Sequence, residues 1–233
     1  MAMINRKILN VFLAAALGAA AGAFLTLSGH LPVGQMQRGS NPLDLNNYAS
    51  RLALSGILWT IFWVYWGIAS RNSAATEKSE SQASTTFHQL VLAFSLLLLL
   101  IPVTGLTARF LPQTAFLVIA GLLIQIGGML LAVWARRHLG RNWSGEVRIA
   151  VDHQLIRTGP YRSLRHPIYT AMLGMFLGSA LITGQIHSLV ALAILTAAYW
   201  RKSRREEEIL RENFGVEYDA YCNDTWALVP LLY

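Results

Sequence analysis

The amino-acid sequence predicts an all-α integral membrane protein with about six transmembrane helices. Of its 233 residues, 54% are hydrophobic and only 13% are charged, whereas soluble domains carry about 25% charged residues. Uncharged apolar runs close to the roughly 20 residues that a membrane-spanning helix needs recur along the chain. The net charge of +7 comes from Lys and Arg residues that cluster at the ends of these runs. This distribution favours a membrane protein over a soluble nucleic-acid-binding protein, so we expect no nucleic-acid partner.

The apolar runs define the predicted spans. Four of them have the length of one span each: 8–27, 52–69, 90–107 and 115–135. A fifth run, 168–200, would be about 50 Å long as one helix, which exceeds the roughly 30 Å of a hydrocarbon core. The sequence Thr183-Gly184-Gln185 in its middle predicts a turn. The run is therefore divided into spans 168–182 and 186–200, which form a tight hairpin.

The first run could also be a secretory signal, because Arg6 and Lys7 precede it. Its length exceeds the about 7–15 apolar residues of a signal sequence, and no clear A-x-A cleavage site follows. We therefore expect an uncleaved anchor. The single cysteine, Cys222, excludes an internal disulfide framework.

The distribution of basic residues predicts the orientation of the spans. With six spans, sixteen of the nineteen Lys and Arg residues fall on the side that holds both termini. Basic residues are enriched in cytoplasmic loops, so we expect both termini and the segment 136–165 to be cytoplasmic. The expected location is the inner membrane of a prokaryotic cell.

The segment after the fourth span is rich in hydrogen-bond donors. Gly159-Pro160 predicts a turn, and Pro167 suits the first turn of the next helix. His166 would then lie at a helix start, where backbone N–H groups favour an anionic ligand. The arginines of this segment are equally typical of contacts with phospholipid headgroups, so membrane lipids are expected partners.

The charged segment after the hairpin allows two interpretations. As a solvated helix it would be stabilised by i,i+4 ion pairs, namely Lys202–Glu206, Arg204–Glu208 and Glu207–Arg211. On the same helix, however, Tyr199, Lys202 and Glu206 share one face. That face would present an aromatic ring, a cation and a carboxylate to a ligand.

Several kinds of functional site lack sequence support. The chain contains no G-x-G-x-x-G, G-x-x-x-x-G-K-[ST], G-x-S-x-G or H-E-x-x-H motif. His138, His153 and His166 are spaced too irregularly to indicate a metal site. We expect no bound metal.

One ordered series of short motifs resembles a known family. These are H-x-L-[VI]-x-x-G-x-Y, R-H-P-x-Y, an apolar hairpin, E-E, F-G and Y-x-x-Y, spread over about residues 132–221. The series resembles the isoprenylcysteine carboxyl methyltransferase family, within the wider group of membrane methyltransferases that includes phospholipid methyltransferases. The resemblance implies transfer of the methyl group of S-adenosyl-L-methionine to a lipophilic or small acceptor, which could be a carboxylate, an amine or a thiol.

The resemblance also implies which residues form the site. The family's cofactor contacts fall on His153, Gln154, Leu155, Ile156, Tyr161, His166, Pro167, Ile168, Tyr169 and Glu206. A further contact falls on Glu146, where the family has Gln. The family's substrate-side Arg aligns with Lys202, with Arg201 adjacent, and these two are the candidate catalytic residues. Lys keeps the positive charge but lacks the bidentate fork of Arg.

This resemblance divides the chain into two parts. Residues 1–110 hold the first three spans and their loops, and residues 111–233 hold the fourth span, the hairpin and the cytoplasmic methyltransferase core. Two other functions remain open: an NADPH-dependent enzyme similar to the sterol reductases, and a non-enzymatic membrane protein that binds anionic lipid.

Overall fold

The computed structural model describes residues 45, 47–70, 76–79, 82–101, 103–140, 143, 148–150 and 155–229. The predicted first span, 8–27, lies outside these residues. Six α-helices are described, and their bounds are α1 Tyr48–Ala69, α2 Gln82–Leu100, α3 Ala115–Leu139, α4 Pro167–Thr183, α5 Ile186–Phe214 and α6 Val216–Asn223. The described part of the fold is mostly helical, as the apolar runs predict.

A short antiparallel sheet corrects the all-α prediction. Strand β1, Thr76–Ser79, lies between α1 and α2 and pairs with strand β2, Arg148–Ala150, between α3 and α4. Strands of four and three residues are too short to produce a detectable hydrophobic period. Their pairing brings the α1–α2 and α3–α4 connections to the same end of the helix bundle.

Three helices are long and apolar enough to cross a membrane, over Ser50–Ala69, Ala83–Leu100 and Ala115–Leu139. They confirm the predicted spans at 52–69 and 115–135. The predicted span at 90–107 is confirmed as a span, but its bounds are wrong, because α2 begins at Gln82 and ends at Leu100. Ile101 precedes Pro102 in the sequence, and the residue before a proline is disfavoured in a helix. The apolar side chains beyond that point therefore do not extend the helix.

The predicted hairpin turn is confirmed. Helix α4 ends at Thr183, and Gly184 adopts a left-handed conformation with φ 62° while its N–H donates to the carbonyl of Ala180. Helix α5 then begins at Ile186 and continues without a break to Phe214. Its apolar first half and its charged second half form one continuous helix. Lys202 and Glu206 therefore lie on the extension of the second hairpin helix.

Glycines bring α3 and α4 into close contact. A Cβ atom added to Gly178 would lie 2.5 Å from the carbonyl oxygen of Gly121, and one added to Gly128 would lie 2.7 Å from that of Ala171. Only a residue without a side chain allows this approach. The contact fixes α4, and with it the start of α4 at Pro167, against α3.

A polar cluster inside the bundle joins α1, α3 and α4. The hydroxyl of Ser55 donates to the side-chain oxygen of Gln125 over 3.1 Å, and the indole N–H of Trp59 donates to Ser179 over 3.0 Å. The ring of Trp59 also meets Phe176 edge to face at 5.3 Å. Buried polar groups are thus paired within a core of large apolar side chains.

The chain after α6 fixes the backbone that leads into α4. The N–H groups of Arg165 and His166 donate to the carbonyls of Trp226 and Ala227 over 2.8 and 3.1 Å. In return, the N–H of Trp226 donates to the carbonyl of Ser163 over 3.0 Å. His166 is thereby held at the first turn of α4.

Candidate functional site

The start of α4 meets the middle of α5 in a stack of aromatic rings. The His166 and Tyr169 rings are 5.4 Å apart at 7°, and the Tyr169 and Tyr199 rings are 4.5 Å apart at 16°. The Nζ atom of Lys202 lies 5.8 Å from the centroid of the Tyr169 ring. This stack forms because Pro167 starts α4 beside α5, so that His166 and Tyr169 both face it.

A carboxylate on α5 is held at the edge of the stack. The hydroxyl of Tyr169 donates to Oε1 of Glu206 over 2.5 Å, and Nδ1 of His166 lies 3.2 Å from Oε2. The side chain of Glu206 is 20% exposed. Each carboxylate oxygen can accept a further hydrogen bond, so Glu206 is positioned but still able to bind a donor from a ligand.

His166 lies between two carboxylates. Its Nε2 atom is 3.2 Å from Oε1 of Glu207, while its Nδ1 atom is at the same distance from Glu206. An ionised carboxylate only accepts hydrogen bonds, so both ring nitrogens must donate, and only the charged imidazolium can do this. The arrangement therefore favours a protonated His166.

Arg165 completes this chain of alternating charges. Its Nε atom lies 2.9 Å from Oε1 of Glu207, and its NH1 group donates to the backbone carbonyls of Cys222, over 3.0 Å, and Thr225. The side chains of Arg165 and Glu207 are 10% and 7% exposed. A buried ion pair with its remaining hydrogen bonds satisfied is a rigid support for His166.

The electrostatics follow from these contacts. Burial alone raises the pKa of the Glu206 carboxyl, but the hydrogen bond and charge of His166 and the charge of Lys202 outweigh it and hold the pKa below its usual value. Burial is likewise outweighed at Glu207, where His166 and Arg165 lower the pKa to about 2. For His166 burial lowers the pKa, but the two glutamates raise it above its usual value.

Helix α2 contributes residues to the candidate site that the sequence patterns did not indicate. Thr85 and His88 are buried, and the His88 ring lies 5.4 Å from the Tyr199 ring. No short-range pattern could identify them, because α2 and α5 are about a hundred residues apart in the chain. Arg165 and Glu207 are not among the predicted site residues either, although they are the first residue of the R-H-P-x-Y motif and the second residue of the E-E motif.

The structure brings together only some of the candidate residues. His166, Tyr169, Lys202 and Glu206 form the stack and its edge, with Pro167 and Ile168 in the same turn. Tyr161 is buried in a short 3₁₀ helix, Gly159–Arg162, and its carbonyl accepts from the Tyr221 hydroxyl over 2.6 Å. Leu155 and Ile156 are partly exposed in the coil before it. Glu146, His153 and Gln154 lie outside the described residues.

Arg201 points away from the stack. Its NH2 group donates to the hydroxyl of Ser84 over 2.8 Å, and its guanidinium lies 5.2 Å from the ring centroid of Phe87. Both contacts are on the exposed side of α2. Its proposed role beside the acceptor remains a prediction, and its observed contacts join α2 to α5.

The hypothesis of a solvated, self-paired helix is wrong for the face of α5 that meets α4. Lys202 and Glu207 are only 7% and 5% exposed. Glu207 pairs with Arg165 instead of the expected Arg211, whose Nε atom lies 2.7 Å from Asp219. Burial against α4 therefore decides the partners, because long-range contacts replace the local ones.

Comparisons with known proteins identify the family. The profile of the phospholipid methyltransferase family matches residues 116–217. A probable protein-S-isoprenylcysteine O-methyltransferase from Oryza sativa subsp. indica is 30% identical over 147 residues, which cover 62% of this chain and 77% of the relative. The chain belongs to the isoprenylcysteine carboxyl methyltransferase family. The sequence resemblance is thereby confirmed.

Two further members of the isoprenylcysteine carboxyl methyltransferase family are similar to this chain. A protein-S-isoprenylcysteine O-methyltransferase from Saccharomyces cerevisiae is 30% identical over 122 residues, or 51% of each chain. The solved structure of the eukaryotic intramembrane Ras methyltransferase of this family covers 96% of this chain and 97% of its own at 16% identity, with a TM-score of 0.43. That structural similarity is too weak to support a further argument.

Proposed function

We propose that this protein is an integral membrane methyltransferase that uses S-adenosyl-L-methionine and methylates a lipophilic or small acceptor. The observation that carries the proposal is the carboxylate of Glu206, held ionised by His166 and Tyr169 at the end of the membrane helices. Family membership supports methyl transfer as the reaction, and the relatives named above are O-methyltransferases.

The residues present fit this cofactor. Ionised Glu206 can accept hydrogen bonds from an amino or hydroxyl group of the ligand. Tyr169 is stacked between His166 and Tyr199, so the edges of these rings beside Glu206 are what can meet the purine or the sulfonium group of the ligand. His166 already contacts two carboxylates, so its support of Glu206 explains its position without direct contact to the cofactor. Roles for Glu146, His153, Gln154, Leu155, Ile156 and Tyr161 in the same pocket remain part of the proposal.

The chemistry requires alignment more than a protein nucleophile. When bound, the cofactor supplies an electrophilic methyl group on a positively charged sulfur, and transfer leaves the electron pair of the broken C–S bond on that sulfur. The protein's contribution is to hold the acceptor's lone pair in line and to exclude water. A carboxylate acceptor has no proton to lose, whereas an amine or a thiol must release one.

The location of Lys202 supports an acceptor with negative charge. Its Nζ atom lies 5.8 Å from the centroid of the Tyr169 ring, where its positive charge can attract an anionic group. The relatives' names specify an isoprenylated cysteine of a protein. We therefore propose a prenylated or otherwise lipophilic carboxylate as the first acceptor to test, with amines and thiols as further candidates.

Two measurements test the proposal. Calorimetric titration of the purified protein with S-adenosylhomocysteine tests the cofactor, and NADPH serves as the competing ligand. Mass spectrometry of membrane lipid extracts after incubation with deuteromethyl-labelled S-adenosylmethionine tests the transfer and identifies the acceptor. Binding of NADPH instead would favour a reductase, and binding of neither compound would favour a lipid-binding protein.

A further inference from the structure

Helix α2 holds two buried polar atoms beside the aromatic stack. Thr85 is 8% exposed and His88 is 7% exposed. Within the described part of the chain, neither the Oγ1 atom of Thr85 nor the Nδ1 atom of His88 has a hydrogen-bond partner. Most buried polar side-chain atoms in proteins are hydrogen-bonded, and leaving one unpaired is costly. These two atoms therefore need an explanation.

Both residues lie on one face of α2. They are three positions apart, so their side chains are neighbours on the helix surface. The same face continues with Leu92, Leu96 and Leu99, all buried in the core. The first turns of α2 thus bury polar side chains at positions where apolar side chains would pack at a lower cost in free energy. Such an exception is typical of a functional position.

The two residues lie on the helix that meets the aromatic stack at Tyr199. The His88 ring is 5.4 Å from Tyr199, and Tyr199 stacks on Tyr169, whose hydroxyl donates to Glu206. The contacts that join His88 to the proposed cofactor carboxylate thus run through Tyr199 and Tyr169. A group held by α2 would lie on the α5 face that also carries Lys202.

We propose that Thr85 and His88 bind the polar head of the methyl acceptor between α2 and α5. This inference rests on the proposed function. A hydroxyl, an imidazole nitrogen and the nearby ammonium of Lys202 suit an anionic head with oxygen or sulfur lone pairs, because each of the three can donate a hydrogen bond to it. A protonated amine would be repelled by Lys202 and offers no lone pair.

Three variants test these two residues. Thr85→Val removes the hydroxyl at nearly constant volume, His88→Leu removes the ring nitrogens, and His88→Asn keeps a polar atom near the position of Nδ1. The control is Thr86→Val, because Thr86 is the exposed neighbour. Each purified variant is assayed for S-adenosylhomocysteine affinity by calorimetry and for methyl transfer from labelled S-adenosylmethionine to N-acetyl-S-farnesylcysteine, dodecanethiol, dodecylamine and a total membrane lipid extract.

We expect Thr85→Val and His88→Leu to raise the acceptor's apparent KM about tenfold and to leave the dissociation constant of S-adenosylhomocysteine within about twofold of wild type. His88→Asn should recover part of the loss, and Thr86→Val should match wild type. An unchanged KM in both variants would overturn the inference, and so would weaker cofactor binding in either of them.

The wild-type protein separates this inference from the function on which it rests. If it fails to bind S-adenosylhomocysteine, the proposed function is wrong. If it binds that compound and methylates dodecylamine in preference to N-acetyl-S-farnesylcysteine and dodecanethiol, the proposed cofactor is supported. The proposal that Thr85 and His88 bind an anionic acceptor head is then wrong.

Discussion

The imidazole of His166 lies 3.2 Å from the carboxylate of Glu206 and so joins the first turn of α4 to the middle of α5. Glu207 holds the other side of the same ring, and Arg165 holds Glu207. These contacts hold the Glu206 carboxylate in place before a ligand binds, so that little reorganisation of the protein is needed on binding. Glu206 is therefore the residue whose replacement should affect cofactor binding most directly.

We expect Glu206→Gln to weaken S-adenosylhomocysteine binding by about tenfold to a hundredfold, because a hydrogen bond to a charged group contributes roughly 1.5–3 kcal/mol. Calorimetric titration measures the change. The matched control is Glu208→Gln, since Glu208 is exposed and pairs with Arg205 over 2.9 Å. Equal affinities in wild type and Glu206→Gln would remove Glu206 from the cofactor site.

The same network predicts how stability depends on pH. The pKa of Glu207 falls from 4.5 to about 2 on folding, so its contribution is complete above pH 4.5 and is lost as the pH falls towards 2. The pKa of His166 rises from 6.5, so its contribution is complete below pH 6.5 and is lost as the pH rises through the higher folded value. Stability should be greatest between these two limits.

Thermal unfolding of the detergent-solubilised protein across this pH range measures both effects. Glu207→Gln should flatten the acid side of the curve and His166→Gln the alkaline side. Glu217→Gln is the control, because Glu217 forms an exposed pair with Arg157 and such pairs contribute little. Acid and alkaline slopes that match wild type in both variants would contradict the assigned charges.

The sequence predicted those parts of the fold and the site that depend on short-range patterns. The uncharged run of α3, the Gly184 turn and the proline start of α4 are local signals, and all three are confirmed. The shared face of Lys202 and Glu206 follows from helical spacing alone. For the same reason, His166 and Tyr169 could be placed on one turn.

Features that depend on which helices pack together were not predictable. Local spacing allowed Glu207 to pair with Arg211, but packing against α4 gave it Arg165. The apolar run predicts a span from residue 90, whereas α2 begins at Gln82, because a hydropathy pattern treats buried polar residues such as Thr85 and His88 as loop residues. Burial of polar groups against a distant helix leaves no signature in one sequence.

Close packing between α3 and α4 makes a prediction about stability. Gly178→Ala should destabilise the protein by about 1–3 kcal/mol, because the new methyl group would overpack against α3, at 2.5 Å from the Gly121 carbonyl oxygen. Gly127→Ala is the control, since nothing lies within 4 Å of a Cβ atom at that position. Thermal unfolding in detergent compares the two, and a Gly178→Ala protein as stable as Gly127→Ala would show that α3 and α4 can separate without cost.

The orientation of the helices can be tested by cysteine labelling in intact cells. Positive residues favour the cytoplasm, so with Cys222 replaced by Ser we expect Arg162→Cys to be protected from a membrane-impermeant maleimide. Gln113→Cys, in the exposed connection before α3, should react. Both residues become reactive on lysis if they are accessible at all. Outside labelling at position 162 would reverse the proposed orientation.

The final prediction concerns the acceptor side and Lys202. If its ammonium attracts an anionic acceptor, Lys202→Met should spare S-adenosylhomocysteine affinity and raise the acceptor's apparent KM, provided that the contact is equally strong in ground and transition states. Lys202→Arg should retain activity and should increase it for a carboxylate, because a guanidinium can bind both oxygens. Arg205→Met is the control, since Arg205 is exposed and pairs with Glu208.

A purely structural Lys202 gives a different result. Lys202 is 7% exposed, and its Nζ atom lies 5.8 Å from the Tyr169 ring centroid, so its loss could reduce stability through packing and a cation–π contact of about 1–2 kcal/mol. In that case Lys202→Met would lower the melting temperature, leave the acceptor's KM unchanged, and gain nothing from the Arg variant with a carboxylate. Steady-state kinetics at saturating S-adenosylmethionine, with the acceptor varied, distinguishes the two outcomes because only an acceptor contact changes KM in opposite directions in Met and Arg.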